Sequence, residues 1–579
     1  MPITRSMYIW PAFHTRPTVS GKRGAVAAGH YLATGAGLKM LAQGGNAVDA
    51  GIAAGFALAI LRPHKNGIGG EAPTLVFSPK EQRSYSISGM GTAPKALSIE
   101  LLRKKGIKSI PGFGYLGAVV PAQIGAFLTA LSRFGTLPLD AVLAPSIELA
   151  YDGFPLYEGL REYLSTTEDE LFTKTLPENG RIFLKNGKAP ERGSLVKQPD
   201  IGATYEKLVE ASVQGTSRED GIQKAIDRFY KGDIAKAVID HVKNFPLDDG
   251  TGYTECLLTY EDFAGYETIV EATHQVDYRL FTVQKCGPWT QGPVMLQTLK
   301  LLEGYDLKSM GHNSSQYIHT LVESMKIAYN DRNRYYGDDR FSEVPLDKLL
   351  SDEYVTARRK EIDPCRANND KMWDDDLFDS GITDSSDTTH LNAVDSDGFM
   401  ISSTPSGGWI RSNPRVPGVG LQLSTRGQMF YMKPNHPNGL GPGKRPRTTL
   451  TPSLALKDGK PWMAFGSPGG DNQDQWALQA FLNIAEFGMG IQEALDAPSF
   501  YTTHFKSSFY PHGAEPGYVF YEPLVAGVVN DLIDRGHKMV NLEPFNNGEC
   551  CVTLLNHKTG VIESGASAKE ERQSYAMGW

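Results

Sequence analysis

The sequence predicts an α/β (α+β) fold in which antiparallel sheets are covered by helices. Three observations support this fold class: short strand patterns that pair as hairpins, helical patterns before and after them, and a hydrophobic content of 40% in a chain of 579 residues. The predicted helices cover residues 31–43, 46–61, 121–134, 138–151, 313–329 and 473–487. The predicted strands lie near residues 25–28, 74–78, 84–88, 389–394, 399–404, 452–456 and 462–465.

The helix over residues 46–61 rests on its apolar spacing. Val48, Ile52, Phe56 and Ile60 follow one another at helical intervals, which is typical of a buried helix. The longest apolar run, residues 53–61, lies inside this helix and is too short to span a bilayer. The sequence therefore predicts no membrane partner.

A hairpin is predicted directly after residue 387. Residues 388–394 can form one strand, 395–398 have a strong turn sequence, and 399–404 can form the return strand. If Asp395 pairs with Gly398, Thr388 faces position 405, and if Asp397 and Gly398 alone form the loop, it faces position 407. In either register Ser406 lies beside Thr388, where its hydroxyl can hydrogen-bond the threonine or assist its release.

Thr388 has the features of an N-terminal nucleophile. A threonine hydroxyl is a poor nucleophile unless a base lies beside it, and a threonine at a chain start carries its own base, an α-amino group with a pKa of roughly 7.7 to 8.0. Residues 364–387 are polar and acidic with little apolar periodicity, as an exposed, cleavable segment requires. We therefore predict a cut between Asp387 and Thr388.

A glycine pair is predicted between a strand and a helix further along the chain. Residues 462–465 form a short strand pattern, 466–471 a tight loop, and 473–487 a helix. Gly469 and Gly470 leave backbone N–H groups unblocked just before that helix, which suits an oxyanion hole. Most such glycine pairs are only turns, but this one follows a nucleophile-like hairpin.

Several motifs run in the order of one known family along nearly the whole chain: residues 44–50, 67–70, 387–390, 443–446, 466–470 and 578–579. Through them the chain resembles the γ-glutamyltranspeptidase family of N-terminal-nucleophile hydrolases. The resemblance implies a four-layer αββα sandwich and self-cleavage by attack of the Thr388 hydroxyl on the bond after Asp387. It also implies a large fragment, 1–387, and a small fragment, 388–579, that stay intertwined as one domain.

The chain departs from the family where the γ-glutamyl group is bound. The resemblance places Met90 where the γ-glutamyl enzymes have an arginine for the substrate carboxylate. Arg426 and Met429 stand where a glutamine and an aspartate usually bind the α-amino group. Burying a glutamyl zwitterion without partners costs several kcal/mol, so we expect another acyl group. The chain is thus similar to the branch that includes oxamate amidohydrolases and cephalosporin-acylase-like proteins.

Four residues are candidates for substrate binding. Arg426 can hold a carboxylate in bidentate fashion, or it is a structural arginine, and the sequence leaves both interpretations open. By the resemblance, Thr448 and Thr449 match paired hydroxyls that contact the substrate carboxylate, and Thr404 precedes Ser406 in the same wall of the site. His390 lies on the same strand face as Thr388 but two residues along, and a structural role is favoured over a Thr-His dyad.

Composition and charge restrict the classes of partner and the cellular compartment that the sequence predicts. A net charge of -8 and a pI near 6.0 give no electrostatic reason to expect nucleic acid or an anionic membrane as partner. Five cysteines at irregular spacing fit a reducing compartment, and 13 histidines show no ligand spacing with them, so no metal or other cofactor is expected. Residues 1–23 lack a signal-peptide pattern, which predicts a cytoplasmic protein, either a monomer or a homo-oligomer.

Three functional hypotheses follow. The first is an amidase that hydrolyses or transfers a non-glutamyl acyl group of a small-molecule amide through an acyl-enzyme on Thr388. The second is a true γ-glutamyl hydrolase or transpeptidase, which turnover of glutathione would separate from the first. The third is an unprocessed binding protein that keeps the fold without the chemistry, and a single band on a denaturing gel would favour it.

Overall fold

The computed structural model describes residues 14–166, 170–370 and 388–579, and Asp387 lies outside these ranges. Its strands are β1 Val19–Gly21, β2 Gly24–Ala28, β3 Thr74–Ser78, β4 Arg83–Ile87, β5 Phe154–Pro155, β6 Leu195–Val196, β7 Val270–Ala272, β8 His274–Tyr278, β9 Phe281–Lys285, β10 Leu391–Asp395, β11 Met400–Ser403, β12 Ser453–Lys457, β13 Lys460–Gly466, β14 Phe500–Thr502, β15 Tyr518–Tyr521, β16 Lys538–Asn541, β17 Cys551–Asn556, β18 Val561–Ala566 and β19 Tyr575–Gly578.

Two seven-stranded sheets form the centre of the molecule. Sheet one has the strand order β1-β18-β17-β13-β12-β9-β8, and sheet two has the order β19-β2-β10-β11-β3-β4-β7. All neighbouring strands in both sheets are antiparallel, as predicted. Each sheet takes strands from both sides of residue 387, so the two sequence fragments share both sheets.

The α-helices are α1 Tyr31–Ala42, α2 Ala47–Leu61, α3 Ile99–Lys104, α4 Gln123–Phe134, α5 Leu139–Asp152, α6 Glu158–Ser165, α7 Pro177–Phe183, α8 Pro199–Ser212, α9 Arg218–Lys231, α10 Asp233–Asn244, α11 Tyr260–Ala264, α12 Pro293–Leu302, α13 Leu307–Met310, α14 Ser315–Tyr335, α15 Leu346–Leu349, α16 Asp352–Arg359, α17 Gln473–Ala485, α18 Ile491–Asp496 and α19 Ala526–Asp534. In the ranges that the structure describes, none of these helices combines the length and apolarity needed to cross a bilayer.

The helices cover the outer faces of the two sheets. An apolar core joins α1, α2, α4 and α5 to sheet two, and a second core joins α12, α14 and α17 to sheet one. A third cluster fills the space between the sheets, with Leu75 and Val394 from sheet two meeting Leu454 and Ala464 from sheet one. The order is helix, sheet, sheet, helix, which confirms the predicted four-layer αββα sandwich.

Helix α2 is deeply buried and packs against strand β10, the strand that follows Thr388. All of its residues are buried, and a capping box between Asn46 and Asp49 begins it. Its glycines allow close packing, because Gly51 lies against Ile401 of sheet two, where a larger residue would collide. The small-residue sequence of α2 therefore holds sheet two at short distance.

The β10–β11 hairpin differs from both predicted registers. Leu391 pairs with Ser403 and the Asp395 N–H bonds to the Phe399 carbonyl, so the loop contains three residues, 396–398. The Asp395 carboxylate accepts the N–H groups of Asp397 and Phe399, both at 3.0 Å, and this side chain stabilises the longer loop. Position 388 consequently faces position 406 directly.

Residues 364–370 are the described part of the predicted exposed segment; residues 364–366 and 370 are exposed, whereas Ala367 and Asn368 are anchored to the body of the protein. The Ala367 N–H bonds to the Arg535 carbonyl at 2.7 Å, and the Asn368 N–H bonds to a Glu323 carboxylate oxygen at 3.1 Å. These contacts join the segment to α14 and to the turn between α19 and β16.

Candidate active site

The hydroxyls of Thr388 and Ser406 lie 3.1 Å apart in the centre of the site. Thr388 precedes β10 and Ser406 follows β11, and the two residues form a bridge that extends the hairpin. Both side chains are buried, with Thr388 1% exposed and Ser406 fully enclosed. The structure therefore places the second hydroxyl where the sequence predicts it, although in a different register.

A buried ion pair supports Ser406. Its Oγ accepts a hydrogen bond from Arg426 Nη2 at 2.7 Å, and Arg426 Nε donates to Glu71 Oε2 at 3.1 Å. The backbones of Glu71 and Ser406 also exchange two hydrogen bonds, of 2.8 and 2.9 Å. The Ser406 oxygen accepts from a guanidinium, and in its contact with the Thr388 hydroxyl either oxygen can be the donor.

Arg426 thus has internal partners at a position where the sequence predicts a substrate contact. Only its Nη1 atom has no hydrogen-bond partner among the described residues, and the side chain is fully buried. Burial raises the pKa of the Glu71 carboxyl, although Arg426 beside it acts in the opposite direction. The pair is therefore held in a strongly dehydrated environment.

Gly407 makes the close approach of Glu71 possible. Its φ of +74° is in the left-handed region, and a side chain there would collide with the Glu71 carboxylate and the Ser424 hydroxyl. Residue 407 must therefore be a glycine, because its backbone is left-handed and because its neighbours leave no room for a side chain.

The surroundings of Arg426 are aromatic and apolar. Its guanidinium lies 5.1 Å from the ring centre of Trp409 and 5.8 Å from that of Phe509. Met429 packs with the same two rings. Met90 is buried in the apolar cluster between the sheets, so neither methionine supplies a charge to this region.

His390 is a structural residue in this arrangement. Its Nδ1 lies 2.9 Å from Thr404 Oγ1 and its Nε2 lies 2.8 Å from Asn392 Oδ1. Burial lowers the pKa of His390 to about 3, so the ring is neutral at physiological pH. The Thr404 hydroxyl, which the sequence assigns to substrate binding, is engaged by this ring.

Both glycines of the predicted oxyanion loop have a left-handed backbone conformation. Gly469 and Gly470 have φ values of +112° and +55°, and α17 begins three residues after Gly470. Within the described ranges the N–H groups of these two glycines donate to no backbone carbonyl. Asp471 fixes the loop, because Arg332 pairs with its carboxylate and the Ser508 N–H donates to it at 2.7 Å.

Gln291 joins the paired threonines to the glycine loop. Its N–H donates to the Thr448 carbonyl at 2.8 Å, and its side-chain amide donates to the Gly470 carbonyl at 3.4 Å. The Thr449 hydroxyl is buried and has no partner among the residues that the structure covers. The His390 ring packs on Gly466 at the end of β13. This contact links the strand before the glycine loop to the segment that contains Thr388.

Sequence reasoning missed Glu71 and Gln291. Glu71 had a local signal, a carboxylate directly after Gly69 and Gly70 in an otherwise apolar stretch. Gln291 had none, because its importance comes only from contacts with residues far away in the chain.

In the described part of the chain, one group of possible metal ligands is found, His319, Glu323 and His537. The two rings hydrogen-bond each other at 2.8 Å, and Glu323 pairs with Lys326 at 2.7 Å. These internal bonds account for the group without an ion.

Comparisons with known proteins show the family to which the chain is similar. The Gamma-glutamyltranspeptidase family model matches residues 33–578. A glutathione hydrolase proenzyme of Pseudomonas sp. (strain A14) is 31% identical over 500 residues, 83% of this chain and 82% of that protein.

Two solved structures are similar over nearly their whole length. The structure of LmbA2991HD has 38% identity and a TM-score of 0.92, covering 98% of this chain and 100% of that one. The cephalosporin acylase from Bacillus halodurans has 30% identity and a TM-score of 0.83, covering 100% and 99%. The chain belongs to the gamma-glutamyltranspeptidase family of N-terminal-nucleophile hydrolases.

Proposed function

We propose that the protein is a self-processing amidohydrolase in which Thr388 is the nucleophile of both maturation and turnover. The observation that carries the proposal is the buried contact of 3.1 Å between the Thr388 and Ser406 hydroxyls, with Arg426 2.7 Å from the Ser406 oxygen. Family membership supports the same class of chemistry.

In maturation, the Thr388 oxygen attacks the carbonyl carbon of the Asp387–Thr388 peptide bond. The C–N bond breaks as the ester bond forms, and the nitrogen takes the hydroxyl proton. Water then hydrolyses the ester, which restores the Thr388 hydroxyl and leaves a new α-amino group beside it. The Ser406 hydrogen bond, oriented by Arg426, stabilises charge on the threonine oxygen during this step.

In turnover, the new α-amino group accepts the hydroxyl proton while the Thr388 oxygen attacks the substrate amide. The N–H groups of Gly469 and Gly470 bind the oxyanion, the amine leaves with a proton, and water hydrolyses the acyl-enzyme. A second amine in place of water gives acyl transfer.

The acyl group is proposed to be other than γ-glutamyl. Met90 and Met429 are buried among apolar side chains, so they offer no charged partner to a glutamyl zwitterion. The free donors of the site, Arg426 Nη1 and the Thr449 hydroxyl, suit an acyl group with an oxygen acceptor. Because Glu71 already neutralises Arg426, a carbonyl or a single carboxylate fits better than two charges.

A second candidate is γ-glutamyl hydrolysis, which the glutathione hydrolase relative favours. Glutathione and a γ-glutamyl anilide separate the two candidates. We expect kcat/KM for both to be at least ~10²-fold below that of the best amide in a panel of acyl groups, because two lost charge contacts are worth about 1.5–3 kcal/mol each. Efficient glutathione hydrolysis would instead select the second candidate.

Mass spectrometry of the purified protein tests the nucleophile. The wild type should give two chains, the second of which begins at Thr388, whereas Thr388→Ala should remain one chain without amidase activity. An uncut wild type that hydrolyses amides would overturn the proposal.

A further inference from the structure

A cavity of about 1080 Å³ opens beside the glycine loop, and the mechanism above uses only Gly469 of its lining. Both fragments line it. Lys65 and Glu162 come from the large fragment, and Gly469, Trp476 and Glu515 come from the small one. Its size is that of a site for a whole organic molecule.

One wall of the cavity is joined to the strand end that carries Ser406. The Lys65 carbonyl accepts the Trp409 indole N–H at 3.0 Å. The next residue, Asn66, forms a bridge with Gly407, which follows Ser406.

A second wall is joined to the strand that carries Thr388. Glu571, which lines the cavity, pairs with Arg62 at 2.9 Å. Arg62 Nη1 donates to the Gly29 carbonyl at 2.9 Å, and the Gly29 N–H donates to the His390 carbonyl at 3.0 Å. Gly469 of the glycine loop lines a third side, so the cavity borders this loop directly and is linked to both ends of the β10–β11 hairpin through the contacts above.

The charge of the cavity is negative. Its carboxyl groups belong to Glu158, Glu162, Asp471, Glu515, Glu570 and Glu571, and its cations are Lys65 and Arg572. Arg332 already pairs with Asp471, and Arg62 with Glu571. Burial raises the pKa of Glu570 to about 7, so Glu158, Glu162 and Glu515 remain as full negative charges against Lys65 and Arg572, and the cavity attracts positive charge.

Aromatic rings form another part of the wall. Tyr501 and Phe520 are stacked, with ring centres 4.9 Å apart and planes at 7°. Trp476 meets Tyr501 edge-on at 5.7 Å. Ring faces near carboxylates bind flat organic cations through stacking and cation–π contacts.

Buried polar atoms of the lining have no protein partner. Asn547 is 1% exposed, and neither its side-chain oxygen nor its nitrogen has a hydrogen-bond partner in the described ranges. Trp476 is 6% exposed, and its indole N–H also has no hydrogen-bond partner in the described ranges. Such groups are nearly always paired in folded proteins, and both residues belong to the cavity lining.

We propose that this cavity binds the amine half of the amide substrate, and that this amine is an organic cation with a flat apolar body. The proposal rests on the proposed function, because it assigns the cavity to the group released from the Thr388 acyl-enzyme. The carboxylates bind the positive charge, the rings bind the apolar body, and Asn547 and Trp476 bind polar substituents.

Calorimetric titration with three probes that share one ring system tests the proposal: 2-naphthylmethylamine, 2-naphthylmethanol and 2-naphthoate. The mature wild type should bind the ammonium probe at least about tenfold more tightly than the alcohol and should not bind the carboxylate measurably. In the variant Glu162→Gln/Glu515→Gln the affinity for the ammonium probe should fall to that of the alcohol. The control Glu563→Gln, on β18 away from the cavity lining, should keep the wild-type preference.

Equal binding of the carboxylate probe, or an unchanged preference in the double variant, would overturn the proposal. Circular dichroism of the double variant checks that it folds, and Trp476→Phe, which keeps a ring but removes the indole N–H, gives an independent second variant. Titration needs no turnover, so it distinguishes failure of this inference from failure of the proposed function. The latter would appear as an uncut wild type or as absent amidase activity.

Discussion

The Ser406 hydroxyl accepts a hydrogen bond from Arg426 and can donate its own hydrogen to Thr388. Ser406→Ala should therefore slow self-cleavage and turnover by ~10² to 10⁴, the usual effect of removing a general-catalysis group. The half-time of conversion into two bands on a denaturing gel measures the first rate. Ser406→Thr, which keeps the hydroxyl, is the matched control and should process within about tenfold of the wild type. Unchanged rates in Ser406→Ala would show that the contact is only structural.

Glu71 and Arg426 are positioning residues, because they reach the nucleophile only through Ser406. Removing one partner of a buried pair leaves an unpaired charge, so Glu71→Met and Arg426→Met should each lower the free energy of unfolding by about 3–5 kcal/mol. The double variant should be more stable than either single variant, yet its processing should remain slow because Ser406 has lost its donor. Chemical denaturation and gel assays measure the two effects. Additive destabilisation in the double variant would contradict the pairing.

The loop after β11 can be tested with two glycines of similar conformation. Gly407 and Gly418 have φ values of +74° and +71°, but only a side chain at 407 meets Glu71, whereas one at 418 meets no atom within 4 Å. Both alanine variants should lose about 1–3 kcal/mol of stability from the strained backbone. Gly407→Ala alone should also slow self-cleavage, by at least about tenfold. Similar processing rates for the two variants would show that the Glu71 contact does not position Ser406.

Local patterns predict the elements of this fold better than their pairing. The apolar spacing of α2 and the turn sequence at 395–398 correctly predict a helix and a hairpin. The hairpin register was wrong because the Asp395 side chain adds a residue to the loop, a contact that turn statistics do not include. Helices α8 to α10 were not predicted, although Ile234, Val238 and Val242 repeat at helical spacing in α10.

In the candidate site, too, the residues are predicted better than the contacts between them. Thr388, Ser406 and the glycine pair follow from short motifs. The pairing of Arg426 with Glu71 joins residues 355 positions apart, and no local pattern contains that information. Sequence alone therefore left Arg426 open between a substrate contact and a structural arginine.

The whole molecule should be sensitive to mild acid. Burial, with nearby cations in most cases, lowers the pKa of His30, His390 and His504 to about 3, of His436 and His512 to about 4, and of His537 to about 2. The unfolded chain binds these protons below pH ~6.5, so the stability that the neutral rings contribute is present above that pH and is lost as the pH falls toward about 3.

Six carboxyls among the described residues act in the opposite direction, because burial raises the pKa of Glu71, Asp331, Asp395, Asp474, Glu549 and Glu570. Burial raises the pKa of Asp395 to about 6 and of Glu570 to about 7, so their contribution is present at low pH and is lost as the pH rises through those values. Burial lowers the pKa of eleven histidines among the described residues, which outnumber these six carboxyls, and Tm should fall steadily as the pH falls from 6.5 to 4. Calorimetric scans across this window measure it. A Tm that stays constant or rises as the pH falls would contradict the prediction that the histidines dominate.

In sheet two, strands β10 and β11 of the small fragment lie between β2 and β3 of the large fragment. An uncut chain assembles this order in a unimolecular reaction, whereas two separated fragments must first meet in solution and then thread their strands alternately. We therefore expect unfolding to be reversible in the uncut chain and irreversible in the cleaved protein. Thr388→Ala should recover its circular dichroism after dilution from denaturant, while the matured enzyme should aggregate and recover little. For the matured enzyme, the rate of unfolding then limits the working lifetime, because a molecule that opens is not rebuilt.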